Sequence, residues 1–478
     1  MEKIILEKLK NLVNSLFQPN DSPGSRLLER TLLVILYLFG VVLWVRFLNY
    51  GNIPNDRLDW ADITFPRLHV IQQAVQQAKL PLYVAEESGL KGVTNLFLSI
   101  PDQILSPDVF LLGFLSIEQF IIIHILIFYS LGYWGLILFK GKYKLSFFAF
   151  FPLFLLFNFN GHIVSHLSVG HLTWASYFLY SFFFLLIFEI FDDQLLSWKW
   201  IARMSFLQFF IFLSGGYHQF VWALMILFVL FLFVKNNKIT IFYSIISSIC
   251  ANFFRILPAA LLTENLDMGF LAGFPTTEKI IESLYKMSSI ENMLFFDKTK
   301  VDILGWELYF YLGLVGLVYI LYFSITFFRD NKDQEILKLV IPSFILLFLA
   351  SGNFYKFLFE TGIPLLSGER ISSRFLIMTI LIMLFVTSLQ IQKIFKRKIG
   401  YINSGIALGS IMISNDLLQN LFEWGISNVV EYYPIGIYTP LSLGEGNDPL
   451  YIGLLITGGV LSIISIIFFI LKLMEVRK

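Results

Sequence analysis

The sequence contains a single cysteine and few charged residues. Cys250 lies within an apolar run, which excludes a disulfide framework and a metal site built from cysteine ligands. Charged residues make up 14% of the 478-residue chain, and the formal net charge is +1. Lysine and arginine occur in short clusters between apolar runs and do not line one face, so we expect no nucleic-acid partner.

Apolar residues dominate the rest of the chain. They make up 57% of the sequence, and the mean hydropathy is +0.73, far above that of ordinary soluble proteins. A helical span needs roughly 20 apolar residues, and several runs approach or reach that length. The sequence therefore predicts an all-α polytopic integral membrane protein with about 12 spans. The predicted spans lie near residues 30–48, 108–139, 145–158, 172–191, 203–214, 217–234, 239–257, 307–328, 338–351, 373–391, 400–414 and 450–472.

Two segments are expected along the chain. Residues 1–29 combine lysines with apolar residues and include the breaker-rich stretch 18–24, which predicts a cytosolic amphipathic helix and a linker. This segment does not end at small residues as a cleaved signal peptide does, so the first span is predicted to be an uncleaved signal anchor. Residues 30–478 are predicted to form a transmembrane domain.

Basic residues near span ends predict the orientation, because lysine and arginine accumulate on the cytoplasmic side of a membrane. Clusters at residues 140–144, 235–238 and 393–398 all fall on the side of the N-terminus. Both termini are therefore predicted to be cytoplasmic. Long connections are usually functional, and here they should lie outside, with surface helices at residues 65–79 and 276–287. These extracytoplasmic loops comprise residues 49–107, 258–306, 352–372 and 415–449.

Three carboxylates occur close together in the first long loop, namely Asp56, Asp59 and Asp62. A carboxylate held against the bilayer surface and partly desolvated is suited to accept a proton from a hydroxyl nucleophile. The alternative is a solvated loop in which Asp62 or Thr64 caps the following helix. The sequence leaves both readings open.

Half of the six histidines lie between the third and fourth predicted spans, at His162, His166 and His171. The spacing of His162 and His166 is that of a two-histidine metal face on a helix. No local carboxylate completes such a site, so contacts with phosphate or sugar hydroxyls, or simple solvation, are favoured over zinc. His218 is expected on the same side of the membrane, whereas His124 is expected to pack within a span with a local hydrogen bond.

Three arginines are predicted at the extracytoplasmic edge, against the general trend of basic residues. They are Arg255, Arg370 and Arg374. A guanidinium group there needs an acid, a carbonyl or an anionic ligand, and a lipid phosphate suits its forked donors. The alternatives are an arginine that extends to the headgroups or one that pairs with Glu369.

Short elements follow one another along residues 30–390 in a characteristic order. They are Asp59 or Asp62, Pro66, the 65–79 helix, Lys79–Tyr83, Gly170-His171, Glu307–Leu314 and Arg370–Phe375. This order resembles the GT-C superfamily of membrane glycosyltransferases that use polyprenyl-phosphate sugars, and within it the YfhO-like branch. The chain departs from the family pattern where Tyr83 replaces a tryptophan, and Asp59 and Asp62 compete for the family's acidic position.

The resemblance implies inverting transfer of a sugar from a polyprenyl-phosphate donor to a glycan or protein acceptor on the extracytoplasmic face. Asp59 or Asp62 would act as general base. Donor phosphate and substrate would be bound by Arg255, Arg370, Arg374, His162, His166, His171 and His218. No cofactor is predicted, because guanidinium groups alone can stabilise a monophosphate leaving group; a divalent metal is compatible but not indicated.

Two other functions are compatible with the sequence. A transporter or flippase for a lipid-linked sugar or another anion would need ionisable residues at mid-bilayer in facing spans, and these are scarce. A non-catalytic membrane subunit with the same fold would need no chemistry at all. Every one of these functions has membrane lipid as a partner.

Overall fold

The computed structural model describes most of the chain. The described residues are 7, 12–19, 22–90, 92–192, 197–262, 269–271, 273–288, 305–331, 333, 335–362, 369–396, 400–432 and 439–475. They are overwhelmingly helical, and the named strands among them are the two-residue β1 (Tyr83–Val84) and β2 (Leu443–Gly444), which pair antiparallel. The protein is therefore all-α, as predicted.

The helices give the architecture its order. From residue 22 onwards, the described α-helices are α1 (Pro23–Phe47), α2 (Phe65–Gln76), α3 (Ile117–Lys142), α4 (Phe147–Phe159), α5 (Gly161–Val169), α6 (Tyr180–Asp192), α7 (Trp198–Leu213), α8 (Tyr217–Phe233), α9 (Lys238–Ala251), α10 (Phe253–Leu262), α11 (Thr277–Tyr285), α12 (Leu314–Asp330), α13 (Val340–Leu349), α14 (Gly352–Phe359), α15 (Leu376–Phe395), α16 (Gly400–Glu423), α17 (Ile426–Tyr432) and α18 (Pro449–Glu475). Short 3₁₀ turns precede several of them, including Leu172–Leu179 before α6, Gly305–Leu308 before α12 and Ser372–Phe375 before α15.

Six helical stretches in the described part are long and apolar enough to cross a membrane. They are Pro23–Phe47, Ile117–Lys142, Phe147–Val169, Leu172–Phe191, Ser372–Phe395 and Pro449–Met474. The pair α9 and α10, bent by 71°, would make a seventh span if it crosses as one unit. The membrane class thus follows from the helices, whereas the count of 12 spans and the orientation of the termini remain predictions.

Burial separates central helices from peripheral ones. Within an 18-residue apolar segment of each stretch, 83%, 83% and 89% of the residues are buried in Phe147–Val169, Leu172–Phe191 and Ser372–Phe395, against 22% and 17% in Pro23–Phe47 and Pro449–Met474. A helix that is apolar on all sides and buried belongs to the middle of a bundle. Two of these central stretches carry His162, His166 and Arg374, so these polar groups lie in the interior of the fold.

Several predicted boundaries differ from the observed ones. Helix α1 begins at Pro23, with Ser22 accepting a hydrogen bond from the Ser25 amide, so the proposed boundary after residue 29 falls inside a helix. The predicted span 108–139 is divided by a capping box at Ser116 and Gln119, which starts α3. The two predicted loop helices are present as α2 and α11.

The expected cap of α2 is wrong in its atomic detail. Neither Asp62 nor Thr64 makes a side-chain capping hydrogen bond, because a π-helical turn, Trp60–Thr64, runs directly into the helix. The Thr64 hydroxyl instead donates to the carbonyl of Gly170, at 2.5 Å. This turn therefore ties the first long loop to the end of α5.

Candidate functional site

The first-loop acids reach the histidine segment through a single residue. The carboxylate of Asp59 contacts His171 through its Oδ2 and the imidazole Nε2. The Asp59 side chain is 26% exposed, so it is held and yet still reachable from outside. Asp62 is exposed, and partial desolvation together with the nearby charge of Asp59 raises its pKa.

Gly170 allows this contact to form. It lies in the left-handed region with φ +106°, and a Cβ at this position would lie 2.4 Å from the Trp60 amide nitrogen. The indole of Trp60 donates to the carbonyl of Ser168, at 2.9 Å. Only glycine accommodates both the backbone conformation and this close approach, so the Gly170-His171 pair is the point where the loop meets the helix.

The same glycine turns His171 back over the end of α5. The His171 amide donates to the carbonyl of His166, at 3.0 Å, and the two Nδ1 atoms of these residues lie 2.6 Å apart. His166 is fully buried, and its Nε2 lies 3.6 Å from Oε2 of Glu307. His162, the other candidate on this helix, stacks on Phe310 with ring centroids 4.7 Å apart.

Arg374 connects Glu307 to Glu369 and His218. Its Nε and Nη2 donate to both oxygens of Glu307, at 2.8 and 2.5 Å. Its Nη1 lies 3.4 Å from Glu369 Oε1 and 3.3 Å from His218 Nε2. The guanidinium also lies 5.2 Å from the ring centre of Trp174, so its face and all of its nitrogens are engaged.

Glu369 closes the network on its far side. It accepts from His218 Nδ1 at 2.8 Å and from the Trp222 indole at 3.0 Å. Burial alone would raise the pKa of Glu369, but the adjacent His218 and Arg374 hold it below its ordinary value of 4.5. We refer to Asp59, His166, His171, His218, Glu307, Glu369 and Arg374 together as the histidine–carboxylate cluster.

Arg255 lies in a different polar group. It is fully buried and donates from Nη2 to the carbonyl of Ile100, at 2.7 Å. Its nearest charges are Asp102 and Arg67, which pair with each other at 3.1 Å. Tyr217 interacts electrostatically with both Asp102 and Glu369, so the two groups are neighbours without sharing a hydrogen bond among the described contacts.

The structure thus brings together most of the predicted site residues. Asp59, His166, His171, His218 and Arg374 belong to one network, and His162 packs beside it. Arg370 is half-buried next to Arg374 and Glu369. The 159–171 segment and the first long loop meet at the Asp59–His171 contact.

Two residues in the network were not among the predicted site residues. Glu369 entered the sequence reasoning only as a partner for an arginine, and Glu307 only as the first residue of the Glu307–Leu314 element. An acidic residue at the start of an apolar run is costly unless it is paired, and that signal would have singled out Glu307. Nothing in the sequence indicated the packing of Trp174 and Trp222 against the histidines.

His124 and the Lys79–Tyr83 segment make contacts outside the cluster. His124 is buried and pairs with Asp108, at 2.5 Å, as expected for a packing residue with a hydrogen-bond partner nearby. The Lys79–Tyr83 segment contributes to strand β1, and the Tyr83 hydroxyl accepts from the Asp448 amide, at 3.0 Å. This segment therefore joins the first long loop to the last one.

Comparisons with protein-family models, curated proteins and solved structures found no match for this chain. The resemblance to the YfhO-like branch accordingly remains a prediction.

Proposed function

We propose that the protein is a membrane glycosyltransferase that moves a sugar from a polyprenyl-phosphate donor to a glycan or protein acceptor on the extracytoplasmic face. The proposal names Asp59 as the general base. The observation that carries it is the contact between Asp59 and His171, which places the first-loop acid in the same buried network as Arg374.

The convergence of distant sequence elements supports the proposal. The resemblance to the GT-C superfamily rests on the order of several elements along the chain. They include the acidic loop, the Gly170-His171 pair, the Glu307–Leu314 element and the Arg370–Phe375 element. In the fold, Asp59 meets His171, and Glu307 meets Arg374. If these elements only anchored separate helices, their charged residues would not be expected to meet in one network.

The chemistry assigned to Asp59 is a single displacement. The acceptor hydroxyl oxygen forms a bond to the anomeric carbon while the bond from that carbon to the phosphate oxygen breaks. The hydroxyl proton passes to the Asp59 carboxylate, and the electron pair leaves with the polyprenyl phosphate. Attack opposite to the leaving group inverts the anomeric configuration. His171 fixes the carboxylate, and the partial exposure of Asp59 leaves room for the acceptor.

The leaving phosphate is assigned to Arg370. Arg374 is 8% exposed and its nitrogens are engaged by two carboxylates and His218, so a phosphate there would have to displace an acid. Arg370 is half-buried at the edge of the same cluster. A guanidinium at a partly open edge can donate hydrogen bonds to the oxygens of a lipid phosphate that approaches from the bilayer.

Substitution of each acid by asparagine tests the proposal. Asn keeps the shape of the side chain but cannot accept the proton, so Asp59→Asn should reduce turnover on the order of 10²–10⁴-fold. Asp62→Asn is the matched control and should remain within about threefold of the wild type, since no hydrogen bond or ion pair among the described residues fixes its carboxylate for proton transfer. The measurement is release of polyprenyl phosphate by purified variants across a panel of polyprenyl-phosphate sugars.

The remaining outcomes separate the alternatives. If a donor is turned over and Asp62→Asn abolishes the reaction while Asp59→Asn does not, the base is misassigned. If no donor is turned over but liposomes containing the protein move the intact lipid-linked sugar between leaflets, the protein is a flippase. If it does neither, it is a non-catalytic membrane subunit.

A further inference from the structure

The histidine–carboxylate cluster contains donor groups beyond those a general base requires. His166, His171 and Glu307 each offer one ligand atom, and these three atoms lie within 4.8 Å of one another. Two imidazole nitrogens and a carboxylate oxygen form a donor set that suits zinc and related divalent transition metals. Three protein ligands also leave one coordination position open, as in catalytic zinc sites.

The ring nitrogens of His166 and His171 lie close together, and one of them has no hydrogen-bond partner among the described residues. The Nδ1 atoms of His166 and His171 lie 2.6 Å apart, so a single small cation or a proton could join them. His166 Nε2 is buried and has no hydrogen-bond partner among the described residues. Buried polar nitrogens are normally satisfied, and a cation in the cluster would satisfy one nitrogen of each imidazole.

The surroundings of the ligands have the features of a metal site. Asp59 contacts the opposite nitrogen of His171, the position in which a carboxylate commonly orients a metal-bound histidine. Arg374 holds both oxygens of Glu307 and so fixes its orientation. Each carboxylate oxygen carries two lone pairs, so an oxygen that accepts from Arg374 can still bind an ion.

The charge balance also favours a cation. Within the cluster, Asp59, Glu307 and Glu369 carry three negative charges and Arg374 carries one positive charge, and the neighbouring Arg370 adds a second positive charge. One negative charge is therefore left over in a largely buried cluster when the histidines are neutral. A divalent ion attracts all three carboxylates and keeps the imidazoles in the neutral form that metals bind.

We propose that His166, His171 and Glu307 bind a divalent transition metal such as Zn²⁺, with Asp59 as the carboxylate that orients His171. This site extends the sequence-based expectation in two ways. Its histidine pair is His166 and His171, not His162 and His166, and its carboxylate comes from a residue far along the chain. The proposal stands without the transferase activity, because metal binding is measured with no sugar donor present.

The test uses full-length protein in detergent, purified without a histidine tag and depleted of metal with a chelator. Bound Zn²⁺ is counted by mass spectrometry after equilibration, and affinity is measured by competition with a chromophoric chelator. We expect one tightly bound Zn²⁺ per chain in the wild type. Asp59→Asn should weaken affinity by about 10–100-fold, and His171→Ala should weaken it by more.

His124→Ala is the matched control. His124 is buried and paired with a carboxylate like the proposed ligands, but its partner is Asp108, outside the cluster. This variant should keep stoichiometric Zn²⁺. A second measurement is the rise in the thermal unfolding midpoint on adding Zn²⁺, which should occur in the wild type and His124→Ala and be absent in His171→Ala.

Each outcome decides the proposal. Failure of the wild type to retain stoichiometric Zn²⁺, Co²⁺ or Mn²⁺ would overturn it, and the His166–His171 contact would then be held by a shared proton. Equal loss of metal in His124→Ala and His171→Ala would also overturn it. If Zn²⁺ binds but no sugar donor is turned over, the metal site stands and the proposed transferase activity fails.

Discussion

Arg374 and Arg255 are both buried arginines that the sequence assigned to the same task, yet their surroundings differ. Arg374 faces two carboxylates and a histidine, and its guanidinium covers Trp174. Arg255 donates one hydrogen bond to a backbone carbonyl, and its Nε and Nη1 have no hydrogen-bond partner among the described residues. One arginine is neutralised by its neighbours, and the other is tied down by the backbone.

The difference shows how little the position of an arginine in the sequence says about its availability. A guanidinium in direct contact with two acids orients those acids and is a poor site for a further anion. A guanidinium attached to a loop carbonyl mainly holds that loop in place. Arg255 fixes the Ile100 region of the first long loop against helix α10, which lies beyond the bend after α9.

Removal of Arg374 should have the largest effect on stability. Arg374→Ala leaves Glu307 and Glu369 buried without their cation, and such losses cost about 3–5 kcal/mol. The measurement is the thermal unfolding midpoint of the purified protein in detergent. The double variant Arg374→Met with Glu307→Gln removes both charges of the closest pair and should recover part of the loss. An equal midpoint for Arg374→Ala and the wild type would contradict this assignment.

Removal of Arg255 should cost less. Arg255→Met leaves the Ile100 carbonyl without its donor, at about 1–3 kcal/mol, but it also removes two buried donor atoms that lack partners. Methionine fills a similar apolar volume. The same unfolding assay compares the two arginine variants directly. A loss as large as that of Arg374→Ala would mean that Arg255 neutralises a carboxylate after all, with Asp102 as the candidate.

Glu369 should contribute less to stability than the two arginines, and its contribution should appear as a dependence of stability on acid pH. Its folded-state pKa lies below 4.5, so its ionised form stabilises the fold at neutral pH. That stability is present above about pH 4.5 and is lost as the pH falls through the lower folded-state pKa. The unfolding midpoint of Glu369→Gln should therefore fall less than that of the wild type between about pH 5 and pH 3.

Glu445→Gln is the control for this pH series. Glu445 is exposed and, among the residues that the structure describes, pairs with the exposed Lys79, at 3.3 Å, so its loss should leave the acid dependence unchanged. A Glu369→Gln variant that loses stability with acid as steeply as the wild type would show that other carboxylates carry the effect.

Composition and periodicity predicted the class of fold, because a membrane span is a local property of about 20 consecutive residues. The loop helices α2 and α11 were also predicted, because helical periodicity is likewise a local property of the sequence. The cluster could be predicted only in part. His171 approaches His166 because Gly170 reverses the chain, and Asp59 reaches His171 across 112 residues of sequence. The spacing within one helix paired His166 with His162 instead of His171. Helical spacing carries no information about a contact made beyond a chain reversal or across a long stretch of sequence.

The pairing of Glu307 with Arg374 also sets an order of events during synthesis. The two residues are 67 positions apart, so at about 5–20 residues per second the acid emerges from the ribosome roughly 3–13 s before its cation. An isolated carboxylate is costly in hydrocarbon during that interval. We therefore expect Glu307 to stay near water until Arg374 has been made, and the helix that it precedes to reach its final position after that.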